Sequence, residues 1–170
     1  MRHLAAALLL ATIAEPQLPA PPARATATAL FERLDGAWTG SGTILGQPST
    51  VDMQWTPVLE GRFLRLTFSS HIGPAPKTQH FEGHAYYEVR PDGRARATWF
   101  DSSGLTRPID ATVDASSLVA VWGTPETEVG ETTYRLVSDR ALEVVDRVRG
   151  KDGTWRTFGR STLSRTLPPR

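Results

Sequence analysis

Past residue 36 the chain alternates apolar and polar positions in short runs, and no run keeps a helical period. Turn residues break the alternation at intervals of about eight to twelve residues, the spacing of an all-β sandwich or barrel. Ten strands are predicted: Ala37–Leu45, Ser49–Pro57, Arg62–His71, Thr78–Arg90, Arg94–Asp101, Leu105–Val113, Ser117–Gly123, Glu131–Ser138, Ala141–Arg149 and Thr154–Ser164. The clearest hairpin turns through Pro91-Asp92-Gly93, where proline presets φ and glycine supplies a positive φ. Ahead of the strands, Ala29–Leu34 predicts a short helix ended by Asp35-Gly36. Every connection is short and none has the look of a Greek-key crossover. The expected fold is therefore a single all-β, antiparallel up-and-down β-barrel with a short N-terminal helix; closure leaves no exposed edge.

The alternation also assigns faces. Val51, Met53 and Trp55 fall on the inward side of their strand, as do Leu64, Leu66 and Phe68 on theirs. Phe81, Ala85, Tyr87 and Val89 share the expected inner face of Thr78–Arg90. Leu142, Val144 and Val148 share a face with Asp146, and a carboxylate on an apolar face needs a partner, expected here to be an arginine.

The N-terminus breaks the pattern. Met1-Arg2-His3 is a short basic start, Leu4–Ala14 is an uncharged apolar run, and Ala23-Arg24-Ala25 and Ala25-Thr26-Ala27 offer small residues at signal-peptidase spacing. These are the parts of a secretory signal. Residues 1–27 are expected to be a signal peptide and residues 28–170 the barrel domain of an exported bacterial protein, periplasmic or secreted. The apolar run falls short of the roughly 20 residues of a membrane span, so none is expected. The chain has no cysteine, which excludes a lipidated N-terminus and disulfides; its length suits one domain with an adequate core of its own. Of the 19 basic and 18 acidic residues, loss of residues 1–27 removes Arg2, Arg24 and Glu15 and leaves 17 of each. A neutral domain with scattered cations lacks the footprint of a nucleic-acid binder.

Several short motifs resemble a known group. Gly36-Ala37-Trp38-Thr39-Gly40-Ser41-Gly42 opens the barrel as G-x-W-x-G-x-G, followed by Gly61-Arg62-Phe63-Leu64, Phe81-Glu82-Gly83 and Ala97-Thr98-Trp99-Phe100-Asp101-Ser102-Ser103-Gly104. In this the chain resembles an uncharacterised bacterial family, a domain of unknown function, with a lipocalin-like or nitrobindin-like β-barrel. Trp38 fits a ring plugging one end of the barrel, with Gly40 and Gly42 allowing tight coiling. Nitrobindin-like proteins bind haem through a histidine on a strand near the C-terminus. Thr154–Ser164 holds no histidine, so no haem and no other cofactor is expected.

The candidate chemistry is sparse. His80, Glu82, His84, Tyr86 and Glu88 alternate along one strand and so share a side. His80, Glu82 and His84 are the only grouped metal-ligand types, with alternate side chains about 7 Å apart; the ordinary reading is a solvated outer face. Nucleophile-elbow and phosphate-loop contexts are missing. The interior is left as the functional candidate, lined or plugged by Trp38, Met53, Trp55, Leu66, Phe68, Trp99 and Tyr134, with the helix over one mouth. The expected function is non-enzymatic binding of a small apolar or amphipathic molecule inside the barrel. The alternatives are a cavity enzyme or metal-binding protein using the His80, Glu82 and His84 row, and a ligand-free structural or interaction domain.

Overall fold

A computed structural model describes residues 22–166. Its elements are α1 (Pro22–Leu34) and ten strands: β1 (Gly36–Ile44), β2 (Gln47–Val58), β3 (Phe63–Ile72), β4 (Gln79–Val89), β5 (Ala95–Asp101), β6 (Thr106–Val113), β7 (Ser117–Gly123), β8 (Val129–Ser138), β9 (Ala141–Arg149) and β10 (Trp155–Thr166). Each strand pairs antiparallel with the next, and β1 pairs with both β2 and β10, so the sheet closes into the barrel that the alternation predicts. The closing seam sets Trp38 opposite Met53 on one side and opposite Arg165 on the other.

The opening glycines have a steric reason. A Cβ on Gly40 would overlap the backbone of Thr162 and Leu163, and one on Gly42 would overlap that of Arg160 and Ser161. β1 and β10 pass so closely there that only hydrogen fits.

One end of the barrel is filled. α1 turns Ala27, Leu30, Phe31 and Leu34 inward, spaced so that they form one stripe of the helix. Leu30, Phe31 and Leu34 join Trp38, Trp55 and Tyr87 in a single apolar cluster, with the Phe31 ring edge-on to Tyr87 at 6.1 Å. Trp38 Nε1 donates to Leu34 O at 2.9 Å. The Arg165 guanidinium lies 4.3 Å from the centre of the Trp38 ring and donates to the carbonyls of Arg33, Asp35 and Asp139, tying the last strand to the helix end.

The helix is longer than expected. It starts at Pro22, a residue suited to a first helical turn, and runs through positions read in the sequence as the end of a leader. Ala27 is fully buried, and a Cβ on Gly93 would come within 2.6 Å of Ala23. The rest of the expected leader, residues 1–21, lies outside the described residues. Among those described, no helix is long and apolar enough to cross a membrane.

Trp38 stands at the junction of α1, β1 and β10. Trp38→Ala is expected to lower stability by about 3–5 kcal/mol, read from urea unfolding monitored by far-UV circular dichroism.

Candidate functional site

The other end of the barrel is open, because glycines leave room for flat rings against the wall. Gly83 faces inward, and the indole of Trp99 covers it so closely that any Cβ there would fall inside the ring. Trp122 covers Gly130 in the same way. Each indole is pinned by its N–H: Trp99 Nε1 donates to Asp101 Oδ2 at 3.1 Å, and Trp122 Nε1 to Thr132 Oγ1 at 3.2 Å. Rings laid flat leave a cavity of about 360 Å3 between them, with Phe68, Phe81, Phe158 and Tyr134 around it. Its rim includes Leu45, Leu105 and Glu128, from the connections at the end opposite α1.

Of the seven interior residues named from sequence, Met53, Phe68, Trp99 and Tyr134 line this cavity. Trp38, Trp55 and Leu66 do not; they are fully buried in the packed end. Trp55 lies beneath the cavity, with its ring 5.2 Å from Tyr134 and 5.6 Å from Tyr87, both of which line it. Sequence reading passed over Asp101, Arg107, Trp122 and Phe158 as cavity residues. For three of them alternation held the signal: Asp101 shares a face with Trp99, Arg107 with Ile109, and Trp122 with Ala120.

Asp146 faces inward, but its partner is not the expected arginine. Thr132, directly opposite in the β8–β9 register, donates to Asp146 Oδ1 at 2.7 Å. The arginines next to it point outward; Arg147 pairs with Glu131 at 2.7 Å on the outer surface. The carboxyl fits because Gly159 has no side chain: a Cβ there would lie 2.7 Å from Asp146 Oδ2. Burial raises the Asp146 pKa above the usual carboxylate value, and the Thr132 hydrogen bond only partly opposes this. Burial also raises the pKa values of the neighbouring Tyr87 and Tyr134 hydroxyls.

Asp101, at the mouth, is the opposite case. Its side chain is also buried, and burial is again the largest influence. Yet donors surround it: the Ser103 hydroxyl, Trp99 Nε1, and the N–H groups of Leu105 and Ser103. Together they outweigh burial and hold its pKa below the ordinary value. Arg107 completes the cluster at 3.1 Å.

The row of His80, Glu82, His84, Tyr86 and Glu88 faces away from the cavity. Of these, His80, Glu82, His84 and Tyr86 are exposed and Glu88 is half-buried. His80 stacks on His71 at 4.7 Å, and its Nε2 lies 3.1 Å from Ser69 Oγ and 3.5 Å from Glu82 Oε1. His84 Nδ1 lies 3.5 Å from Thr67 Oγ1. Among the described residues no three histidine, aspartate or glutamate side chains converge as a metal site. The described histidines all sit on outward positions of β3 and β4, so the cavity wall does not fit a haem held by histidine.

The two inner carboxyls set opposite pH dependences. An acid whose pKa rises on folding loses stability as pH climbs from its unfolded to its folded value, whereas one whose pKa falls keeps its full stabilisation above its unfolded value and loses it as pH drops toward its folded value. Asp146→Asn is therefore expected to melt higher than the parent at neutral pH, the difference closing as pH drops toward about 3. Asp101→Asn is expected to lose about 1–3 kcal/mol at neutral pH, the loss holding down to about pH 4 and shrinking only below it. Thermal melting across that range checks both.

No protein-family model matches the chain, and no curated protein matches it in sequence. Solved structures do match. Rv2717c from M. tuberculosis aligns with a TM-score of 0.62 at 15% identity, covering 88% of this chain and 100% of that one. The S-type phycobiliprotein lyase CPES from Guillardia theta aligns with a TM-score of 0.57 at 12% identity, covering 91% and 100%. EF1p2_mFAP2b, solved bound to DFHBI, aligns with a TM-score of 0.50 at 15% identity, covering 82% and 99%. At these identities the likeness is one of fold, and it carries the barrel architecture that the opening motifs implied.

Proposed function

We propose that this protein is a non-enzymatic binding module that holds one small, largely apolar molecule in the barrel cavity, entering by the mouth opposite α1. The carrying observation is the cavity itself: a space of about 360 Å3, closed below by the Trp55 and Tyr87 layer and kept free of side chains by glycines under its flat indoles. That volume lies at the small end of the roughly 300–1,000 Å3 of small-molecule sites, and its aromatic wall with a few fixed polar groups has their usual make-up. The Ser70 hydroxyl lines it, buried and without a hydrogen-bond partner, so a ligand acceptor or donor has a place to bond. A structurally similar barrel, solved bound to DFHBI, supports the reading by analogy.

The reading includes export. Of the two small-residue sites, cleavage after Ala25 keeps buried Ala27 in the barrel plug, whereas cleavage after Ala27 removes it. N-terminal sequencing of protein recovered from the periplasm is expected to begin at Thr26.

Binding is tested by tryptophan fluorescence during titration with 1-naphthylmethanol, which is expected to saturate at one equivalent. Ala120 lines the cavity, and Ala120→Phe is expected to weaken binding about tenfold or more by filling it. Ala120→Leu gives a milder filling if the larger ring impairs folding. Binding unchanged in a folded, cavity-filled variant would place the site elsewhere.

A further inference from the structure

The cavity is unbalanced in charge. Asp101, Glu128 and Asp146 line it against one cation, Arg107. Arg107 is already engaged: Nη1 lies 3.1 Å from Asp101 Oδ2, Nη2 lies 3.6 Å from Glu128 Oε2, and the guanidinium sits 5.3 Å from the centre of the Trp122 ring. Asp146 has the Thr132 hydroxyl, and among the described residues no lysine, arginine or histidine is paired with it. An anionic headgroup would enter a low-dielectric space whose one cation is neutralised and whose base is acidic, and nothing there offsets its desolvation. A cation meets the reverse: a carboxyl in the cavity wall that no cation of the described residues neutralises, with Tyr134 beside it in the lining.

We infer that the cavity selects molecules carrying a protonated amine on an apolar body, the ammonium seated at Asp146, and that it discriminates against carboxylates of the same shape. This rests on the binding-module reading and adds the class of ligand. Gly159 is a positioning residue for the site, since its missing Cβ is where the carboxyl lies.

The pairing ties binding to a proton. The ionisable groups near Asp146 are Tyr134 on β8 and Tyr87 on β4; Gly159 contributes no side chain from β10. Arg147 and Glu131 pair on the outer face, and Asp101, Arg107 and Glu128 are joined at the mouth. In the empty cavity burial favours the neutral acid at Asp146. An ammonium favours the carboxylate, so binding drives the proton off, and affinity for the amine rises with pH through the raised Asp146 value and then levels.

The test compares three ligands with one ring system: 1-naphthylmethylamine, 1-naphthylmethanol and 1-naphthoate. At neutral pH the amine is expected to bind about tenfold or more tightly than the alcohol, and the carboxylate more weakly than the alcohol. Asp146→Asn should erase the advantage of the amine over the alcohol. Calorimetry in mildly acidic buffers of different ionisation enthalpy should record proton release with the parent protein and not with the variant; the parent's own pH profile gives the same reading without any substitution. If the carboxylate binds as well as the amine, or the advantage survives in Asp146→Asn, the inference falls while the binding module stands. If the alcohol does not bind at all, both fall.

Discussion

Closure of the sheet between β1 and β10 is the constraint on which the rest depends. That seam is the only place where the first and last strands meet, and it holds because Gly40 and Gly42 let two backbones pass at a distance that a methyl group would prevent. Closure fixes which side chains look inward on all ten strands at once, since a slip of one residue would exchange the two faces. It also brings Arg165 over Trp38 and under the carbonyls at the end of α1, so the helix that plugs one mouth is anchored by the strand that closes the barrel. The plug and the seam are one unit, and the open end is free to differ.

That difference comes from glycine more than from aromatic content. Both ends are rich in large rings. At the packed end Trp38, Trp55 and Tyr87 fill the lumen beneath α1; at the open end Trp99 and Trp122 lie along the wall over Gly83 and Gly130. Trp122 is opposite Gly130 in the β7–β8 register, and Trp99, opposite Ala85, lies over Gly83 at the next inward position of β4. The cavity therefore follows from small residues placed opposite large ones, and the hydrogen bonds to Asp101 and Thr132 keep the rings there.

This explains what the sequence made legible. Alternation located ten strands and gave the correct inner face to Val51, Met53, Trp55, Leu64 and Leu66, because one face of each strand is buried and the other wet. It did not separate Trp99, which lines the cavity, from Trp38, which is packed away, because depth along the barrel axis depends on register between strands and on where α1 docks. The partner of Asp146 was hidden for the same reason: Thr132 is opposite it only once β8 and β9 are in register. The first turns of α1 were missed because their small residues also suit a cleavage site, and burial of Ala27 is a tertiary fact.

The two inner carboxyls show how one cavity can keep separate electrostatic roles. Asp101 has enough donors to remain charged while buried, and its charge is used within the protein: it fixes the β5–β6 turn, orients Trp99 and holds Arg107 at the mouth. Among the described residues Asp146 has one hydroxyl donor and no cation, so burial disfavours its charge. A group satisfied within the fold builds structure, while one left partly unsatisfied in a cavity wall confers preference on whatever enters. Replacing Gly159 with a larger residue would remove the space that Asp146 occupies without touching Asp101, so the fold can vary its preference at the base of the cavity while leaving the mouth intact.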